Sequence, residues 1–232
     1  MRSALYIEKR LPVEKTHKDN LENILHDGLL SHTRARDNKL TQVDIADSEV
    51  NIRRGRQESI HSKIIHDYVP LYFNPQNPML FKRGNIQNAI VILAIDRILI
   101  LDPNSLFTDG NAAASNGTRF FNEISNLNLL DWKCINGVYW ADFPDGKRIK
   151  CAEVLVYPSI DLIYLKKIYS NNQETKDFVA KKLVLNPEIT VEINHNLFLF
   201  RPCLMRTSPT IFFKTSSKRI GWSSFFLSLH CR

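Results

Sequence analysis

The longest apolar stretch of the chain runs from Gln87 to Leu101, a near-continuous series of Ile, Val, Leu and Ala broken by Asp96 and Arg97. Such a run, rich in β-branched residues, predicts one or two strands buried on both faces. Ile149–Tyr157 has similar content and predicts another strand, and Ile189–Phe200 closes the pattern with a further one. Apolar residues at Phe120, Phe121, Ile124 and Leu127 have helical spacing and predict a helix over Thr118–Leu130. A second helix is predicted over Thr175–Leu185. Asp19–Leu29 reads as a short helix, with Asp19 as N-cap, Glu22 at capping-box spacing and Gly28 near the end. His32–Asn51 is polar with weak periodicity and reads as a mobile loop that orders on binding. Phe107–Gly117 is small and polar, a second loop.

One segment breaks every period. Asp67–Phe81 contains Pro70, Pro75 and Pro78 together with Tyr68, Tyr72, Phe73 and Phe81. Proline fixes φ and removes an amide donor, so the expectation is neither a helix nor a central strand. Flat aromatic faces on a stiff backbone make pocket walls at low entropic cost. The alternative is a Pro-rich surface loop that packs its own aromatics.

Composition narrows the class. The 232 residues suit one enzyme-sized domain, and no run reaches the length a membrane span needs. The four cysteines, Cys134, Cys151, Cys203 and Cys231, form no CxxC pair and no zinc spacing. A cytoplasmic protein with reduced thiols and no structural metal is expected. The net charge of +7 is a tail property. Residues 201–232 hold six Lys/Arg and no acid, leaving 25 basic against 24 acidic residues before them. Global charge therefore says nothing about nucleic acid. Local clusters remain: Arg34, Arg36 and Lys39, then Arg53, Arg54, Arg56 and Lys63, which either track phosphates or are solvated. Residues 201–232 read as a basic extension: an unstructured end, a contact for a partner or membrane surface, or sequence never selected to fold.

Glu153 lies within an apolar strand, sharing a face with Cys151, Leu155 and Tyr157. A carboxylate there either reaches solvent from an edge strand or sits in a cleft with a partner, because an unpaired buried charge is costly. Asp109-Gly110-Asn111-Ala112-Ala113 is a small-residue turn that permits close approach of backbone or base, or is an ordinary turn. Asn111 and Arg119 offer donors to a base edge or phosphate. Tyr139 and Trp140 either stack a base or pack in the core.

Four ordered blocks resemble the DarT family of DNA ADP-ribosyltransferase toxins: THKDNLENIL with GLLS at Thr16–Ser31, DYVPLYFNPQNPMLF at Asp67–Phe81, TDGNAAASNGTRF at Thr108–Phe120 and KCAEVLVYP at Lys150–Pro158. The resemblance runs from about Thr16 to Phe200 and implies a catalytic domain over 1–200. It implies an α/β (α+β) fold, a small split sheet with flanking helices around an NAD cleft. It implies NAD as co-substrate, a base in single-stranded DNA as acceptor and a macrodomain-type antitoxin as partner. Glu153 falls on the family's catalytic glutamate, where a carboxylate stabilises positive charge at the ribose and takes a proton from the attacking nitrogen. Ile52-Arg53-Arg54 fits the catalytic arginine, with Arg54 ahead of Arg53. Thr16, His17, Asn20, Tyr72 and Met79 fall in the cofactor-binding blocks, and Asn111 and Arg119 in the DNA-binding one.

The chain departs from the family pattern at Glu14, where the family carries a histidine that helps hold NAD. A carboxylate there repels the NAD phosphates, so Glu14→His is expected to improve affinity. The same departure supports an alternative, an inactive relative that binds single-stranded nucleic acid without catalysis. A third reading is an interaction protein acting through its tail.

Overall fold

The computed structural model describes residues 11–115 and 117–199, all within one compact unit spanning 1–200. The basic extension 201–232, read above as separate from the catalytic domain, lies outside the described residues.

Among the described residues ten strands form: β1 (Val13–His17), β2 (Leu29–Leu30), β3 (Val69–Tyr72), β4 (Ile90–Ile95), β5 (Leu106–Thr108), β6 (Phe120–Phe121), β7 (Glu153–Val156), β8 (Ser159–Ile160), β9 (Leu165–Ser170) and β10 (Thr190–Ile193). Eight make one mixed sheet in the order β10-β9-β4-β1-β3-β7-β5-β6, and β2 pairs with β8 apart from it. Among the described residues seven α-helices flank them: α1 (Leu21–Asp27), α2 (His32–Asp37), α3 (Ser48–Arg53), α4 (Pro78–Lys82), α5 (Trp132–Asn136), α6 (Gly146–Ile149) and α7 (Gln173–Lys182). The expected mixed α/β fold is present. The sheet is larger than the small one expected, yet it is split: β1 meets β3 at a single register pair, Val13↔Tyr72, while β1 pairs with β4 over five.

β4 is buried at every position, as its unbroken apolar run demands. Val91, Leu93 and Ile95 pack with Leu21 of α1 and Val179 of α7. Ile90 and Ile92 pack on the opposite face with Leu80 of α4 and Phe198. The Gln87–Leu101 run thus gives one strand, bracketed by 3-10 turns at Gln87–Ala89 and Arg97–Leu101.

The proline-rich segment corrects the expectation. It supplies both a central strand, β3, and a helix, α4. Pro70 is tolerated because of where its nitrogen points. The Phe73 amide donates to Ala152 next to β7 (3.4 Å), so odd positions face β7 and position 70 faces β1. On that side the only register pair is at Tyr72, and no ladder bond is lost. Pro78 occupies the first turn of α4, where its missing donor would be unpaired anyway, and Asn77 caps the helix by accepting from the Leu80 amide (3.2 Å).

Three other expectations change. His32–Asn51 is not one loop: Ser31 caps α2 and Asp47 caps α3, each through a side chain that accepts a backbone amide. Thr118–Leu130 is not an α-helix, because Phe120 and Phe121 pair with β5 and Phe121 stacks on Phe107 at 5.5 Å. Only a 3-10 turn, Ile124–Leu129, remains. Asp19 does not cap the first helix; its amide donates to His17 Nδ1 (3.3 Å), and α1 begins after Asn20.

Gly28 ends α1 with φ of 74°, and a Cβ there would lie 2.5 Å from the Ile160 carbonyl oxygen. Gly28→Ala is expected to lower Tm by on the order of 5 °C, from ~1–2 kcal/mol of left-handed strain plus the clash. Thermal unfolding by circular dichroism checks it; an unchanged Tm would mean the β2–β8 pair shifts freely.

Candidate active site

A cleft of about 430 Å³ opens where the sheet splits, with Glu14 and Thr16 of β1, Tyr72 of β3, Met79 of α4 and Arg54 among its lining. Glu153 is the first residue of β7 and is 1% exposed. Its solvent-facing reading is therefore excluded. Oε2 accepts from Arg54 Nη1 at 2.9 Å, and Oε1 accepts from the Ala112 amide at 3.0 Å. Arg54 caps the C-terminal end of α3 and is buried. Burial disfavours its charge, but the Glu153 carboxylate together with Tyr72 and Glu14 more than offsets this and holds the pKa above its ordinary value. Its second nitrogen, Nη2, is buried and has no hydrogen-bond partner among the described residues.

The neighbouring arginines are exposed but engaged. Arg53 Nε donates to the Ala113 carbonyl (3.0 Å), and Arg56 Nη2 donates to the carbonyls of Ala112 (2.9 Å) and Ala114 (2.6 Å). The segment carrying Arg54 is thereby stapled to the loop whose Ala112 amide holds Glu153. Sequence reasoning missed the role of Arg56, although three arginines around Gly55 were its visible trace. The Asn111 loop is braced from its other side. Asp109 accepts from Arg119 Nε (2.7 Å) and Arg148 Nη1 (2.9 Å), and a Cβ on Gly110 would collide with the Arg148 guanidinium.

The remaining expected site residues divide. Thr16, Tyr72, Met79, Arg53 and Asn111 line the cleft. Asn20 lines it too, but its amide is in use: Nδ2 donates to Thr16 Oγ1 and Val43 O, and Oδ1 accepts from the amides of Gln42 and Val43. It shapes the wall. His17 and Arg119 are not among the lining residues; His17 accepts from the Asp19 amide, and Arg119 is exposed on Asp109. Trp140 packs edge-on against Phe81 at 5.5 Å. A stacked pair, His32 and His66 with centroids 4.3 Å apart, lines the cleft and carried no signal in the sequence.

Glu14 corrects a second expectation. Burial raises its pKa to about 8, against the lowering influence of Lys15 and Arg54. Near neutral pH the group is mostly a neutral acid, so charge repulsion toward phosphates is largely absent. Lys15 is buried beside it, donating to Asn77 Oδ1 (2.8 Å) and Pro75 O (3.3 Å), and burial lowers its pKa to about 7.

Residues 15–199 match the family described as "ssDNA thymidine ADP-ribosyltransferase, DarT". The chain belongs to the DarT family. A DNA ADP-ribosyl transferase of Thermus sp. (strain 2.9) is 32% identical over 185 residues, covering 75% of this chain and 87% of that one. A DNA ADP-ribosyl transferase–DNA ADP-ribosyl glycohydrolase fusion protein of Thermosipho africanus is 31% identical over 193 residues, 81% of this chain and 48% of its own length. Among solved structures, Thermus sp. 2.9 DarT in complex with ADP-ribosylated ssDNA superposes with a TM-score of 0.75 at 30% identity, covering 83% of this chain and 97% of that one. The same DarT in complex with NAD+ gives 0.70 at 29% identity, covering 81% and 96%. The split sheet and its cleft are thus the DarT fold.

Among the described residues, no group of His, Cys, Asp and Glu is placed to hold a metal ion, and no helix is long and apolar enough to cross a membrane.

Proposed function

We propose that this DarT-family chain transfers ADP-ribose from NAD to a thymidine base in single-stranded DNA, acting as a toxin. The observation that supports it most is the buried ion pair, 2.9 Å long, that Glu153, itself not a lining residue, makes with Arg54 of the cleft lining. Thr16, Tyr72, Met79 and the free Nη2 of Arg54 offer the apolar and donor surface a dinucleotide end needs. We assign Arg54 to gripping NAD beside the scissile bond and Arg53 to holding the acceptor loop. Glu153 stabilises positive charge at the ribose carbon as its bond to nicotinamide breaks. It then takes the proton released when the base nitrogen bonds to that carbon. Asn111 and Arg119 sit on the braced loop from which a displaced base can be reached, and an unpaired strand exposes the ring nitrogen that pairing hides. His17 serves through its turn rather than by contact.

The Glu14 departure does not favour an inactive binder, because the Arg54–Glu153 pair is intact. We read 1–200 as the catalytic unit and 201–232 as an extension outside the family match. The chain is read as cytoplasmic, where NAD and DNA meet, and as neutralised by a macrodomain-type antitoxin that removes the mark; the fused glycohydrolase of the Thermosipho relative supports such a partner. Incubation with NAD and single-stranded oligonucleotides, read by mass spectrometry, should add one ADP-ribose. Oligonucleotides lacking thymidine, and duplexes, should stay unmodified. Modification of thymidine-free strands would overturn the base assignment, and no modification of any strand would overturn the activity.

A further inference from the structure

Three buried atoms on cleft-lining residues lack partners among the described residues: His66 Nδ1, and the pair Arg54 Nη2 and Glu14 Oε2. Both side chains of that pair line the same space. They are electrostatic neighbours, each acting on the other's titration, although no ion pair joins them. Glu14 follows Val13, the residue where β1 and β3 touch, so its side chain stands at the fork of the sheet. A native protein leaves few buried polar atoms unsatisfied, and two of complementary type in one cleft point to a ligand that satisfies both. The ligand group must accept from Nη2 and also bond a carboxyl. A hydroxyl or a primary amide does both.

We propose that Glu14 is a substrate-binding residue of this chain, seating with Arg54 Nη2 a hydroxyl of the ribose or the carboxamide of nicotinamide. This rests on the reading of the cleft as an NAD site. The group works as a neutral acid. Once ionised, Glu14 is drawn to Arg54, the two free atoms satisfy each other and the seat closes. Its charge then also opposes Glu153. The groups facing it are Lys15 on its own strand, Tyr72 from β3, Glu153 from β7 and Arg54 from the end of α3. Tyr72 is held well above its ordinary pKa by burial, so it stays neutral through the relevant range. His66, elsewhere on the wall, is held below its ordinary value by burial and titrates under that range. Lys15 titrates within it, at about 7, but remains in any Glu14 variant and so serves as the internal control.

The test is calorimetric binding of NAD and of ADP-ribose to the full chain from pH 7 to 9, with Glu14→Gln and Glu14→Ala alongside. Glu14 has a pKa of about 8, so wild-type affinity for NAD should fall roughly tenfold across this span. Glu14→Gln keeps a neutral donor and acceptor and should bind as wild type does at pH 7, losing the Glu14 step and keeping only the dependence that Lys15 contributes. Glu14→Ala should bind about tenfold more weakly at pH 7. If the seat takes the ribose hydroxyl, ADP-ribose shows the same pH dependence; if it takes the carboxamide, only NAD does. A flat wild-type profile, or equal loss in the Gln and Ala variants, would overturn the proposal while leaving the NAD site standing. Absence of NAD binding at every pH would remove the site and the proposal together.

Discussion

Glu153→Gln is expected to lower transfer at least about 10²-fold, measured as ADP-ribose incorporated into single-stranded DNA per unit time. The amide keeps the shape of the carboxyl and can still accept from the Ala112 amide, but it neither balances positive charge at the ribose nor takes a proton. The simpler truncation, Glu153→Ala, is a poorer experiment here than the sequence suggests. It strands the buried Arg54 guanidinium and the Ala112 amide, and breaking a buried pair by removing one partner costs about 3–5 kcal/mol. Loss of activity in that variant therefore mixes chemistry with unfolding. A shifted Tm is expected for alanine and a much smaller shift for glutamine. Near-normal turnover in the glutamine variant would sink the assignment of Glu153.

The second large effect separates three arginines that look alike in the sequence. Arg54→Ala strands the buried Glu153 carboxylate, so its Tm must be followed as for Glu153→Ala; it should also cost at least about 10²-fold, because it removes the partner of Glu153 and a buried guanidinium nitrogen that no described residue occupies. Arg56→Ala should cost under about tenfold, the weight of ~1 kcal/mol of partly solvated hydrogen bonding to the 112–114 loop. The kinetic signatures should differ as well. Loss at Arg54 should depress kcat and raise KM for NAD, whereas loss at Arg56 should act on DNA through a loosened loop. Equal losses at the two positions would mean that the cluster acts as diffuse positive charge and that neither guanidinium has a particular seat.

Much of this site is legible because its parts sit in short, dense motifs. The resemblance points to Glu153 and to Arg54 separately; that the two pair across 99 residues comes from the structure alone. What was not legible arises from direction and burial. The rule against proline in a central strand is a rule about a missing donor, and it fails at Pro70 because that position faces a gap. Phe120 and Phe121 fit a helical period, yet two adjacent aromatics beside Phe107 gain more from pairing and stacking. Glu14 reads as a charge in the sequence, while burial beside β4 makes it mostly a neutral acid. Arg56 reads as solvated, while its carbonyl partners lie in a loop 56 and 58 residues away. Distant backbone partners leave no periodic trace.

The five-pair register of β1 on β4 has a consequence for how this cleft can diversify. Side chains on a strand alternate, so moving β1 by one residue exchanges Glu14 for Lys15 at the fork. Point replacement can rewrite this wall one letter at a time, as the glutamate itself illustrates. Insertion or deletion within Val13–His17 does something else: it puts an ammonium in place of an acid beside Arg54 and withdraws the lysine from Asn77. Changes of length in this segment should therefore be tolerated far less than replacements, because the strand beside it fixes the register.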